Sequence, residues 1–245
     1  MRRFMTDIFR SLLLVLALGL LPAVAAAEQC VVLLHGLART SGSMAKMAGA
    51  LAEAGFTVSN IGYPSRDRPV EELAAPAINK GLAGCGNEVA QVHFVTHSMG
   101  GILVRYYLKN NNLPELGRVV MLAPPNQGSE LVDNLRDIPG FDLIYGPAGR
   151  ELGTREDSLV RGLGPVDFDL GVIAGTRSYN PIFGQFLPEP HDGKVSVEST
   201  RVEGMRDFLS VPYSHTFIMR KEPVIAQVIE FFRAGSFDHQ SSEPE

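Results

Sequence analysis

The chain has 245 residues, 45% of them hydrophobic and 20% charged, with a formal net charge of −5. An acidic balance of this kind argues against nucleic acid as a partner, and the length suits one domain with a large core. No internal repeat is visible, and residues 234–245 read as a short, disordered polar tail, so nothing suggests a second domain.

The N-terminus carries Arg2, Arg3 and Arg10, then an apolar run from Leu12 to Leu21 that ends at Pro22 and "AVAAAE". A basic start, a short apolar run and small residues at the exit describe a secretory leader over residues 1–27, cleaved after Ala27 or at another of these alanines, with an uncleaved anchor as the alternative. The run is too short for a spanning helix, which needs about 20 residues. Glu28 and Gln29 before Cys30 are not the small residues of a lipoprotein cleavage site. The expected location is therefore periplasmic or extracellular. Removing the leader leaves 19 basic and 26 acidic residues, a net charge of −7. Two cysteines remain, Cys30 and Cys85. An oxidising compartment allows them to bridge, but spacing alone does not separate a disulfide from two buried thiols.

Strand-like apolar runs follow at 30–36 ("CVVLLHG"), 56–61, 92–96, 119–122, 171–175 and 208–212. Such continuous runs suit strands covered on both faces. Helix-like stretches at 43–54, 70–82 and 98–110 alternate with them, which predicts an α/β domain over residues 28–233 with a parallel sheet. A last helix begins at Pro223, with Val224, Ile225, Val228, Ile229 and Phe232 on one face. Residues 124–170 break the rhythm and carry Leu131, Val132, Leu135 and Ile138 at helical spacing. So long a connection is usually functional, a lid or binding loop. A cap that only covers core is the alternative.

The stretch "HFVTHSMGGILVRYYL" (93–108) sets Ser98 at a strand end, just before a helix. In open α/β sheets ligands bind at the carboxyl ends of the strands, and a sharp strand-to-helix turn exposes a serine hydroxyl beside helix NH groups. An ordinary helix cap needs the serine but not the His97, Met99, Gly100 and Gly101 that surround it. The G-x-S-x-G pattern lacks its first glycine, since Thr96 stands there.

A serine nucleophile needs a base, and the base an orienting acid, in the chain order Ser, Asp or Glu, His. Downstream, "PEPHDGKVSVEST" supplies Asp192 and "SVPYSHTFIM" supplies His215; the only later histidine, His239, lies in the polar tail. Asp167, Asp169 and Glu189 are alternative acids, but the Asp192-Gly193 turn can hold a carboxylate at a loop tip. The run "LLHGLART" ends the first strand at His35-Gly36. The backbone NH groups of Leu37 and Met99 are the expected oxyanion donors. No Cys/His pair has zinc spacing and no nucleotide loop occurs, so no cofactor or metal is implied.

With "HG" after the first strand, "HSMGG" at the turn, "DGKVSVES" at 192–199 and "SHTFIM" at 214–219, the chain resembles the α/β-hydrolase superfamily, in particular bacterial lipases and esterases. The resemblance implies an α/β-hydrolase fold: a mostly parallel sheet of about six strands flanked by helices, with a lid or cap insertion after the fourth. It implies Ser98 as nucleophile, Asp192 as acid, His215 as base, and Leu37 and Met99 as oxyanion donors. It implies an acyl ester or lipid substrate and transient contact of the lid with a lipid surface. In that fold the first and third strands are neighbours, which brings Cys30 and Cys85 to the sheet end opposite the site and favours their bridging. An acyltransferase or amidase on the same residues, and a catalytically silent binding protein of this fold, are the alternatives.

Overall fold

The computed structural model describes residues 28–87 and 89–240, so the expected leader over 1–27 lies outside the described residues. Its strands are β1 (Gln29–Leu34), β2 (Thr57–Ile61), β3 (Gln91–His97), β4 (Leu116–Leu122), β5 (Leu170–Gly175) and β6 (Asp207–Val211). They form one parallel sheet in the order β2-β1-β3-β4-β5-β6. The helices are α1 (Ala45–Glu53), α2 (Val70–Cys85), α3 (Met99–Asn110), α4 (Glu130–Leu135), α5 (Phe141–Arg150) and α6 (Glu222–Ala234), with single turns elsewhere.

The continuous apolar runs are explained by burial on both faces. Successive side chains of a strand point to opposite sides. Val32, Leu34, Phe94, Met121 and Val172 pack under α2 and α3, and Val31, Leu33, Val95, Val120 and Ile173 pack under α1 and α6. No strand residue from Cys30 to Leu34 is left for solvent.

Helix α2 runs three residues past the end read from the sequence, despite two glycines in its last turns. A Cβ at Gly81 would stand 2.4 Å from Val32 Cγ1, and one at Gly84 2.2 Å from Ser59 Oγ. The missing side chains let the helix lie directly on β1 and β2, and that packing offsets glycine's poor helix propensity. The extension delivers Cys85 to Cys30, with Cα atoms 5.7 Å apart and the sulfurs bonded. Cys30 stands near the start of β1, at the sheet end away from Ser98.

Residues 235–240, expected in a structureless polar tail, fold back instead. Gly235 ends α6 in a left-handed conformation, and the next hydrophobe, Phe237, is buried against Phe231. The Phe237 NH donates to Asp207, and Gln227 and Asp238 exchange two hydrogen bonds.

Between β4 and β5 lie α4, α5 and a turn at Leu159–Gly162. Helix α5 is two pieces joined at Gly146, whose φ of 65° sits where the chain packs on the Arg66 carbonyl. The far end of α5 is latched to α2, because Glu151 Oε2 accepts the Val70 NH at 2.7 Å. Burial raises the Glu151 pKa from 4.5 to about 7, with Glu71 adding to the rise and the Val70 NH opposing it. The folded chain therefore holds a proton that the unfolded chain has released. Its contribution is full below pH 4.5 and is lost as pH rises to about 7. For a half-buried group we expect on the order of 1 kcal/mol of stability to disappear across that window. Glu151→Gln keeps an acceptor for Val70, and denaturation midpoints measured from pH 4.5 to 7 should then be flatter than those of the wild type.

Candidate active site

Ser98 is held where the sheet meets α3. Its backbone has φ 54° and ψ −125°, a conformation that costs a non-glycine residue roughly 1–3 kcal/mol. The turn is tied to β4 by the Ser98 NH, which donates to the Leu122 carbonyl at 2.9 Å. An ordinary cap would spend its hydroxyl on the helix NH groups, yet the Ser98 hydroxyl makes no such bond. The geometry of a strained turn with an uncommitted hydroxyl is thus at odds with a simple helix cap.

The residues around it explain the sequence "THSMGG". A Cβ at Gly100 would stand 2.7 Å from the Leu34 carbonyl, so α3 can start on the end of β1 only without one. A Cβ at Gly101 would stand 3.2 Å from Thr96 Oγ1 and 3.0 Å from the Met121 sulfur. Thr96 therefore replaces the pattern's first glycine by occupying space that Gly101 leaves empty.

Asp192 and His215 meet as the chain order suggested. His215 Nδ1 donates to Asp192 Oδ2 at 2.7 Å. Asp192 Oδ1 accepts the NH groups of Lys194 and Val195 at 2.9 and 2.8 Å, and the His215 NH donates to the Asp192 carbonyl. With its proton on Nδ1, the imidazole has a lone pair on Nε2. The Asp192-Gly193 turn has Gly193 at φ 94°, with its NH donating to His191 Nδ1. The alternative acids lie elsewhere: Asp169 pairs with Arg206, Glu189 pairs with His191, and Asp167 lines a separate depression beside Gln91 and Arg118.

His97, at the end of β3, supports the base. Its Nε2 donates to the His215 carbonyl at 2.9 Å, and the two rings are 4.7 Å apart. Burial, with a smaller electrostatic contribution from the neighbouring His215, drives its pKa well below the ordinary value, so the ring is neutral.

The other loop follows β1. A Cβ at Gly36 would stand 2.8 Å from His97 Nδ1 and 3.1 Å from Ser98 Cβ, so this backbone passes directly over the serine. His35 holds it in place: its ring stacks on Tyr63 at 4.2 Å, Nδ1 donates to the Gly36 carbonyl, and Nε2 accepts the Tyr63 NH. Ala38, with φ 54°, gives its NH to Ser65 Oγ at 3.1 Å. Among the described residues, the NH groups of Leu37 and Met99 are not taken by any acceptor.

One cleft gathers these parts. Ser98, His215 and Leu37 line it together with Val132, Leu135, Phe141, Tyr145 and Leu152 of the insertion. Arg39 and Lys194 line it as well. The apolar residues of α5 divide: Phe141 and Tyr145 face the cleft, while Leu143, 84% exposed, and Ile144 face outward.

The sequence model for the alpha/beta hydrolase family matches residues 31–241, most of the chain. The chain belongs to the alpha/beta hydrolase family. Solved structures agree with that fold. The mature form of a Bacillus licheniformis lipase superposes with a TM-score of 0.59 at 20% identity, over 83% of this chain and 93% of that one. Phospholipase PlaB from Legionella pneumophila gives 0.64 at 21% identity, over 86% of this chain and 60% of that one. Aspergillus fumigatus lipase B gives 0.63 at 17% identity, over 88% and 55%. The chain thus spans less than two thirds of the last two, and at these identities the likeness is one of fold. Among curated proteins none matches.

Several supports of this site carry no sequence signal of their own. Tyr63 and Ser65 brace the loop after β1 from the loop that follows β2. Arg105, buried on α3, donates to the carbonyls of Asn126 and Gly164, and Asn126 in turn donates to the Thr200 carbonyl. The stretch "APPNQGSE" shows an Asn among turn residues, but nothing local announces that it links three segments.

Proposed function

We propose that the chain is a serine carboxylic-ester hydrolase that cleaves acyl esters through Ser98, His215 and Asp192. The observation that carries this reading is the uncommitted Ser98 hydroxyl on a strained turn, in one cleft with an imidazole already oriented by Asp192 at 2.7 Å. Ser98 Oγ attacks the ester carbonyl carbon and gives its proton to His215 Nε2. The NH groups of Leu37 and Met99 stabilise the oxyanion. His215 then returns the proton to the departing alkoxide, leaving an acyl-serine. A water molecule, deprotonated by the same nitrogen, releases the acid and restores the serine.

The apolar cleft wall supports medium-length or longer acyl chains, and the lipases among the fold's neighbours point the same way. Residues 124–170 act as the lid, with the outward Leu143 and Ile144 offering a transient contact to a lipid surface. The Cys30–Cys85 bond supports an exported protein, in agreement with the leader read from residues 1–27.

A fluorophosphonate probe should label the wild type and not Ser98→Ala, whose kcat on nitrophenyl esters should fall by at least about 10,000-fold. Equal labelling would remove the proposal. A sharp preference for acetate over longer acyl groups would remove the lipid part of it.

A further inference from the structure

Two cations stand in a largely apolar cleft of an acidic chain. Arg39 and Lys194 line it beside Ser98 and His215, and both side chains are partly withdrawn from water. Among the described residues, neither is hydrogen-bonded to a carboxylate. The nearest acid in the loop, Asp192, is committed: one oxygen holds His215 and the other accepts two backbone NH groups. The Lys194 ammonium instead lies 5.9 Å from the centre of the Tyr145 ring. Burial lowers the Lys194 pKa, the Arg39 charge lowers it further, and Asp192 opposes both. Two like charges that repel across a cleft would both be relieved by an anion between them.

The backbones of both residues are pinned by the site itself. The Lys194 NH donates to Asp192 Oδ1, and its carbonyl accepts from Ser129 Oγ at 2.6 Å. The Arg39 NH closes a turn on the Gly36 carbonyl, next to the strained Ala38. Each cation therefore starts from the loop that sets a proposed part of the chemistry, the acid on one side and an oxyanion donor on the other.

We propose that Arg39 and Lys194 form an anion subsite, and that the preferred substrate is an acyl ester whose alcohol half carries a phosphate or carboxylate close to the scissile bond. The acyl chain lies along the wall made by Val132, Leu135 and Phe141. A guanidinium fork and an ammonium together suit either anion, and the low dielectric of the cleft strengthens both contacts. This inference rests on the ester-hydrolase reading, yet its test is independent of turnover.

Ser98→Ala protein is titrated by calorimetry with octyl phosphate, nonanoate and octanol. At least one of the two anions is expected to bind on the order of 10-fold tighter than octanol, with the advantage shrinking as ionic strength rises. Adding Arg39→Gln or Lys194→Met should remove most of that advantage. A gain for octyl phosphate alone assigns the subsite to phosphate, and a gain for both assigns it to either anion. Equal affinities for the three ligands, or an advantage indifferent to salt, overturn the subsite even when the fluorophosphonate probe labels Ser98. Failure of that labelling with the anion advantage intact removes the hydrolase reading and leaves the subsite standing.

Discussion

Asp192→Asn is expected to lower kcat by about 10,000-fold with little change in stability. The two oxygens of Asp192 face different partners, His215 Nδ1 on one side and the NH groups of Lys194 and Val195 on the other. An asparagine has one oxygen to offer. If it keeps the two backbone donors, its NH2 faces Nδ1, and the imidazole must carry its proton on Nε2, where it can no longer accept one from Ser98. If it turns round, the NH2 meets two NH donors and the loop loses both bonds. The backbone bonds decide the orientation, so the fold is retained and the tautomer is wrong. Turnover of a nitrophenyl ester beside a thermal melt checks this. Activity within 10-fold of the wild type, with an unchanged melt, would remove Asp192 from the role proposed for it.

The second large effect is on stability. Replacing Cys30 and Cys85 together by Ala should cost about 4 kcal/mol, because the bond closes a loop of 55 residues that the unfolded chain would otherwise explore. For a domain of this size that corresponds to a fall of roughly 10 °C in melting temperature. Since the bond lies at the sheet end away from Ser98, kcat measured at low temperature should change little. A loss of activity with an unchanged melt would contradict this division between the two ends of the molecule.

What could be read from the sequence follows from how far each signal reaches. Strands such as "CVVLL" declare themselves because burial on both faces requires a continuous apolar run, and α6 declares itself through Pro223 and its spaced hydrophobes. The candidates Ser98, Asp192 and His215 come from three separate loops, and in the sequence only the chain order of strands and loops links them. The supports of the site are less legible because each is a single long-range bond. Nothing in "GYPSRD" signals that Tyr63 will stack on His35 or that Ser65 will hold Ala38. Thr96 looks like a damaged motif until the empty volume at Gly101 is seen across the turn. Phe237 likewise sits among polar residues, and only its contact with Phe231 shows why the chain folds back there.

Among the described residues, three that are not glycine hold left-handed backbones: Ala38, Ser98 and Ala123. They follow β1, β3 and β4, so all three stand on the rim where those strands end, while the covalent link between Cys30 and Cys85 stands on the opposite rim. The sheet is thus a spring clamped at one edge and loaded at the other. Selection for heat resistance would find its easiest gains by unloading the rim that carries Ser98, and each such gain would loosen the turn that aims its hydroxyl. Durability and the turnover proposed for Ser98 are in this way written into different edges of the same six strands.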